Sequence, residues 1–348
     1  MHWFIRLFTS LLAALLLGNA FAQAPVNAPG LEQATEVHDR NSERLFTNPN
    51  VVATGVGVNP AGQPVIKIYL ERSDTQGLPD KVEGLPVEVT VSGRIYARRG
   101  NCNNPNADPA ACQPVDPFAP PGSGRATDRY DRPVPIGVST GHTNITAGTI
   151  GCKVSVGCHE YALSNNHVFA DEGAAAIGDD IIQPGPFDGG QAPADVIGTL
   201  HDFEPIVFST SASNIMDAAI ISLEANTVGT ATLPSGYGLP RSNAVAAFPN
   251  QNVKKFGRTT GFTTGYVDAI NATVNVGYDS GTARFISQII IKPGKFSDGG
   301  DSGSLIVEDG GANDRRPVGL LFAGSRTVTV ANPIQPVLDR FEATIEGE

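Results

Sequence analysis

Residues 298–307 read DGGDSGSLIV, a turn-rich run that gives way to an apolar strand-like end. Ser302 stands among small residues, so a carbonyl group can approach its hydroxyl closely. The glycine ahead of it lets neighbouring backbone N–H groups turn inward together. Acyl transfer passes through a tetrahedral intermediate whose oxyanion needs preorganised donors of that kind, here the N–H groups of Gly300 and Ser302. Glycine, serine and aspartate are also ordinary turn residues, so the motif by itself fits a tight loop equally well. It becomes informative only if a base and a carboxylate accompany it.

Serine is a poor nucleophile until a base takes its proton, and histidine is the usual base near neutral pH. Of the six histidines, His167 closes the run YALSNNHVFA (161–170), where a strand gives way to a turn, a place from which a side chain can face a cleft. His142, His159 and His201 lack that setting, and His38 falls in a polar helix-like stretch. A third group must be a carboxylate sheltered enough to hold one imidazole tautomer. Asp217, in NIMDAAIISL, is flanked by apolar residues and meets that need. The chain order is therefore His167, Asp217, Ser302. Subtilisins run Asp, His, Ser, and an α/β-hydrolase needs a histidine after its serine, whereas none follows His201 here. The last glycine of G-x-S-x-G is also replaced, by Ser304.

Around these residues the chain divides in three. Residues 31–47 read as one exposed helix, and VVATGVGVNPAGQPVIKIYLE as a hairpin turning at 59–62. With PVEVTVSGRIYA they make a small N-terminal α/β domain over 31–98. Residues 99–133, dense in Pro, Gly, Asn and Asp, read as a linker whose Arg125, Arg129 and Arg132 are open to nicking. From 134 to 345 short runs rich in Val, Ile and Thr recur between Gly, Asn and Asp turns, the pattern of a sandwich or barrel. Only ANPIQPVLDRFEATI near the end has helical period, with Val337, Leu338 and Phe341 on one face. GRTTGFTTG (257–265) lacks the lysine of a phosphate loop and reads as a strand and turn. The FDGG stretch at 187–190 reads as a solvated loop, since the EF-hand series is missing.

These residues together resemble a trypsin-like serine peptidase of the chymotrypsin fold. The runs YALSNNHVFA, GDDIIQPGPFDGG (178–190), NIMDAAI and KFGRTTGFTTG are similar to a bacterial and plant group that includes the leaf-development protease Narrow leaf. The resemblance covers 134–345. It implies an all-β, two-barrel chymotrypsin-like catalytic domain, with His167 and Asp217 on the first six-stranded barrel and Ser302 on the second. It implies no metal or organic cofactor and a protein or peptide substrate. By the family's pattern Phe296 forms the floor of the substrate pocket and Phe322, Ala323, Gly324 and Ser325 its wall, which favours an apolar or small side chain at the cleaved position. The chain departs from the pattern at Ser304, where glycine is usual. No Ile-Val-Gly-Gly start precedes the catalytic region, so Asp301 is not expected to pair with a freed amine. Cys158 precedes the histidine, so the usual histidine-loop disulfide is replaced by another.

The remaining expectations come from the ends and the composition. Residues 1–22 have one positive charge, an apolar core and an Ala20-x-Ala22 ending, the pattern of a secretory signal peptide. The protein is then secreted or periplasmic, with no membrane span once the leader is removed. A net charge of −11 without clustered Lys or Arg argues against nucleic acid as a partner. Four cysteines in an exported chain suggest two disulfides, with Cys102–Cys112 and Cys152–Cys158 chosen from three possible connectivities. Their spacing does not favour zinc. The function expected is serine endopeptidase, and the alternative is a latent or inactive protease-fold binding module. In the latent case the N-terminal unit holds the catalytic region until the linker is cut.

Overall fold

The computed structural model describes residues 30–97 and 124–348. The predicted leader, Cys102, Cys112 and most of the predicted linker lie outside the described residues.

The first described stretch runs α1 (Leu31–Leu45), β1 (Val51–Val58), β2 (Pro64–Leu70), β3 (Lys81–Val82), β4 (Leu85–Val91) and β5 (Ile95–Ala97). Next come β6 (Val134–Ile136), β7 (Ser139–His142), β8 (Gly148–Thr149), β9 (Cys152–Val156) and β10 (His159–Ser164). They are followed by the one-turn α2 (Asn166–Phe169), β11 (Asp180–Ile182), β12 (Val196–Phe203), β13 (Ala219–Leu223) and β14 (Val228–Thr232). The last part holds β15 (Asn252–Gly257), β16 (Gly261–Tyr278), β17 (Gly281–Lys292), β18 (Leu305–Glu308), β19 (Pro317–Gly324) and β20 (Thr329–Pro333). Helix α3 (Ile334–Arg340) and β21 (Thr344–Ile345) end the chain.

Strands β15, β18, β19, β20, β17 and β16 pair antiparallel in that order, and β16 pairs again with β15. That return closes a six-stranded barrel and leaves it no free edge. The other sheet runs β21-β9-β10-β13-β12-β11-β7-β8. Backbone bonds from Gly137 N to Ile150 O (2.7 Å) and Ile150 N to Val138 O (3.0 Å) join the chain ahead of β7 to the chain ahead of β9. Val154, Ala162, Leu163, Ile181, Leu200 and Ile221 fill its interior. The all-β, two-barrel architecture with a small N-terminal part is thus present.

Short Val-, Ile- and Leu-rich runs build the barrel strands, and some, such as β18 and β19, are buried along their whole length. The GRTTGFTTG stretch forms the end of β15, a tight turn and the start of β16. Helix α3 buries Ile334, Val337 and Leu338, and β21 then returns to β9, fastening the C-terminal chain to the first sheet.

One expectation needs correction. Helix α1 is not exposed all round: Leu31, Ala34, Val37, His38 and Leu45 are buried on one face, against Val56, Ile66 and Ile68. The charged outer face hides this narrow stripe in the composition. The strands beneath join a larger sheet. β1 pairs with β16, Ala53 opposite Val274, so its sheet continues that of the second barrel. Strand β1 is buried along its length and apolar but for Thr54, whose hydroxyl bonds His38 and Ser42 of α1, as suits a strand covered on both faces.

The predicted Cys152–Cys158 disulfide is absent, and both thiols are free. Cys152 opens β9 opposite Leu163, whereas Cys158 lies exposed in the turn at the far end of the same hairpin. At about 3.3 Å per residue, that puts the two more than about 13 Å apart, beyond the roughly 7 Å a bridge allows between α-carbons. Among the described residues no helix is long and apolar enough to cross a membrane.

Candidate active site

His167 enters the site because β10 stops at Ser164 and the chain turns immediately into α2. Asp217 sits two residues before β13, which pairs with β10, so adjacent strands deliver the two groups side by side. His167 Nδ1 lies 2.5 Å from Asp217 Oδ2, and the His167 backbone N–H donates to Oδ1 at 3.2 Å. Both side chains are fully buried. The aspartate backbone is clamped as well. Its carbonyl accepts from Asn165 Nδ2 (2.7 Å) and Asn332 Nδ2 (3.1 Å), and its N–H donates to Asn332 Oδ1 (3.2 Å). A carboxylate held this firmly fixes Nδ1 as the protonated ring nitrogen and leaves Nε2 as the basic one. Nε2 is buried and has no hydrogen-bond partner.

Ser302 comes from the second barrel, in the loop between the short 3₁₀ turn at 294–296 and β18. Its Oγ donates to the Phe322 carbonyl on β19 at 3.3 Å and makes no hydrogen bond to His167. Thr149, on β8 of the first sheet, ties the Ser302 loop down: its N–H donates to Ser302 O and its Oγ1 to Gly300 O, each at 2.8 Å. Gly303 packs so tightly on Ser164 that any Cβ there would overlap the Ser164 hydroxyl. The loop carrying Ser302 is thereby anchored to the strand that precedes His167.

Gly300 has φ +95°, and a Cβ there would stand 2.5 Å from Thr259 Oγ1, so only glycine fits. Within the loop the N–H groups of Gly299, Asp301, Gly303 and Ser304 all donate to protein acceptors. Those of Gly300 and Ser302 have no such acceptor among the described residues. Two unsatisfied donors flanking a serine are what an oxyanion requires.

Of the predicted pocket residues, Phe296 lies wholly in the second barrel's core with Val253 and Val267. Phe322 is equally buried, its ring 4.9 Å from that of Phe285. Ala323 and Gly324 line the end of β19, and Ser325 follows them. That end is occupied: β5 pairs antiparallel with it, Ala97 opposite Ala323 and Tyr96 opposite Gly324.

Three groups escaped the sequence reading. Lys255 and Asp301 form a buried pair beside Ser302, with Nζ 3.4 Å from Oδ2. Tyr278, at the tip of the β16–β17 hairpin, donates from its hydroxyl to Asp217 Oδ2 at 2.8 Å. Asp188, placed by sequence in a solvated loop, is instead buried. It accepts from Arg258 Nε at 2.8 Å and from the Ser139 hydroxyl at 2.5 Å. The spacing of Val253, Lys255 and Gly257 on one face of β15 was a legible sign that this lysine points inward. Nothing local marked the other two.

No protein-family model matches the chain, and no curated protein matches it either. Solved structures similar to it include a glutamic-acid-specific serine protease at 19% identity and TM-score 0.43, covering 61% of this chain and 100% of that one. Thermobifida fusca protease A is similar at 18% identity and TM-score 0.44, over 62% and 99%. Cellulomonas bogoriensis chymotrypsin is similar at 18% identity and TM-score 0.42, over 62% and 99%.

Proposed function

We propose that the protein is a secreted serine endopeptidase that hydrolyses peptide bonds through an acyl-enzyme on Ser302. The observation that carries this reading is the fully buried His167–Asp217 pair, its second ring nitrogen unpartnered, together with a glycine-rich loop, anchored on Ser164 just ahead of His167, that presents a serine and two unpaired N–H groups. In the reaction the Ser302 hydroxyl turns from the Phe322 carbonyl to His167 Nε2 and attacks the scissile carbonyl as Nε2 takes its proton. Asp217 stabilises the imidazolium that forms, and the N–H groups of Gly300 and Ser302 hold the oxyanion. His167 passes the proton to the leaving amine. Water, deprotonated by the same nitrogen, then releases the acyl group. An apolar or small side chain is proposed at the cleaved position, and a library profile showing cleavage after Lys or Arg would overturn that preference.

Intact-mass analysis after fluorophosphonate treatment tests the chemistry. One adduct on the wild type and none on Ser302→Ala is expected, and no adduct on the wild type or on any activated form refutes an activated serine. Secretion is tested separately. Trp3 is the single tryptophan, so the exported protein lacks indole emission if the leader is removed.

One observation favours latency of the intact chain as a second reading. The end of β19 lies beside the nucleophile, since Ser302 Oγ donates to Phe322 O. A peptide adding to that edge as an antiparallel strand would run towards Ser302, and β5 already lies there in that direction. Ile95 is buried with Phe322, Ala323 and Val328, and Ser302 itself has no exposed surface. Tyr96→Pro removes a backbone donor from β5 and disfavours its pairing. Faster peptide hydrolysis by this variant than by the wild type, reversed by adding the peptide Gly93–Ala97, is the expected result. Equal rates would dispose of latency through β5.

A further inference from the structure

We infer that Tyr278 is a positioning residue for the reaction proposed above, acting through Asp217, and that the long β16–β17 hairpin delivers it across the boundary between the barrels. The inference rests on that reading of His167, Asp217 and Ser302.

The geometry is specific. Asp217 Oδ2 receives two donors, His167 Nδ1 at 2.5 Å and the Tyr278 hydroxyl at 2.8 Å, while Oδ1 receives the His167 backbone N–H. The tyrosine ring meets the imidazole edge-on, with centroids 6.0 Å apart and planes at 72°. Phe208 and Phe285 flank the same ring at 5.6 and 6.1 Å, which fixes where its hydroxyl points. The hairpin tip is anchored too. The backbone N–H groups of Asp279 and Ser280 donate to the two carboxylate oxygens of Glu172 at 3.2 and 2.9 Å. Glu172 lies in the turn that follows α2, the helix carrying His167, and holds a left-handed φ of 60°. The hairpin is thus fastened to the segment that bears the base, and its last strand residue reaches the orienting acid.

The chemistry follows from the donor's position. A hydroxyl bonded to Oδ2 restrains rotation of the carboxylate and draws negative charge from the oxygen that faces Nδ1–H. Deleting it leaves that oxygen more basic, so the imidazolium is favoured at higher pH and the base is lost sooner on acidification. Titratable groups near the pair among the described residues include Glu172 beneath the tip, Asp279 on it, and Glu204, whose carbonyl accepts from Asn166 and whose carboxylate pairs with Arg340. The Asp217 carboxylate takes its hydrogen bonds from His167 and Tyr278.

The test is Tyr278→Phe in the full chain, which keeps the ring and its packing. Fluorophosphonate labelling rate and peptide kcat/KM, each measured against pH, are expected to fall about tenfold at neutral pH, mostly in kcat, as for loss of one hydrogen bond to a charged group. The acid limb is expected to move upward. Independently of turnover, the downfield proton resonance of His167 Nδ1–H is expected to shift in the variant. Glu172→Gln, which loosens the tip and leaves the hydroxyl in place, is expected to change both readings in the same direction and by less. Unchanged kcat, acid limb and resonance in Tyr278→Phe, with the wild type labelled at Ser302, would overturn the positioning role and leave the serine chemistry standing. A wild type that never labels would instead remove the underlying reading, and this inference with it.

Discussion

Lys255 Nζ lies 3.4 Å from Asp301 Oδ2, with both side chains wholly shielded from water. Asp301 immediately precedes Ser302. Its carboxylate also accepts from the N–H groups of Thr259, Thr260 and Asp298 and from the Thr260 hydroxyl. Burial alone would raise the Asp301 carboxyl, but the lysine charge and these bonds outweigh it and hold the group below its ordinary value. Burial pulls the lysine down as well, and Asp301 only partly restores it. The lysine keeps further bonds to the Thr260 hydroxyl and the Gly261 carbonyl. The partner of Asp301 is therefore a cation built into β15, held by the strand that leads into the 257–265 turn.

Lys255→Met should leave Asp301 as an uncompensated buried charge. Removing one partner of a buried pair typically costs about 3–5 kcal/mol, because the other keeps its desolvation penalty. The urea midpoint is expected to fall accordingly, and labelling of Ser302 to slow as the loop relaxes. Lys255→Met/Asp301→Asn should recover part of the stability. A single variant as stable and as reactive as the wild type would show that the pair organises nothing.

The same pair sets a dependence on acid. The folded-state value of Asp301 lies below its ordinary 3.8, so the unfolded chain binds the proton more readily. The stability it contributes is full above about pH 4 to 5 and is lost as pH falls through 3.8 towards the depressed value. Asp268, held down by Lys67, Lys292 and the Tyr69 hydroxyl against the opposing effect of burial, adds to the same slope. Unfolding free energy measured from pH 7 to pH 3 should therefore decline towards acid. Lys255→Met should show a shallower decline, and an identical slope would argue against the assignment.

Gly300→Ala addresses the oxyanion donors. The left-handed φ and the approach of Thr259 Oγ1 mean that the loop must shift to admit a methyl group. Losing one such donor costs about 10²–10³ in kcat. The expected outcome is a loss of that order with the His167–Asp217 contact intact, since that contact lies on other strands. Unchanged turnover would move the oxyanion site elsewhere.

How much of this was legible in the sequence follows from the range of each interaction. His167, Asp217 and Ser302 could be named because each sits in a distinctive local run. The barrels could be read because Val, Ile and Thr alternate with turn residues. Tyr278, β5 and the α1 face were not legible, for a shared reason. Each acquires its meaning from a partner far along the chain: Tyr278 from Asp217, Ala97 from Ala323, and Val37 from the strands beneath it. The 18-residue β16 read as an ordinary strand, yet it pairs in turn with β15, β1 and β5. Its register shifts between Ala269 and Ala272, around Asn271 at φ 49°, and that bulge turns it from barrel strand into bridge. The Cys152–Cys158 pairing failed because closeness in sequence stood in for closeness in space, and an extended strand separates the two.

That separation makes a final prediction. Cys158 is exposed beside Gly157 in a turn, whereas Cys152 is buried at the start of β9 and burial pushes its thiol far up. A thiol reacts as its thiolate, so burial sets Cys152 back both in access and in charge. Brief iodoacetamide treatment of the native protein is expected to modify Cys158 and spare Cys152, which should react only after denaturation. Peptide mapping without reduction is expected to yield both as single-chain peptides. A cross-linked peptide containing Cys152 and Cys158 would require the β9–β10 hairpin to be rebuilt, because its register from Cys152–Leu163 to Val156–His159 cannot hold them together.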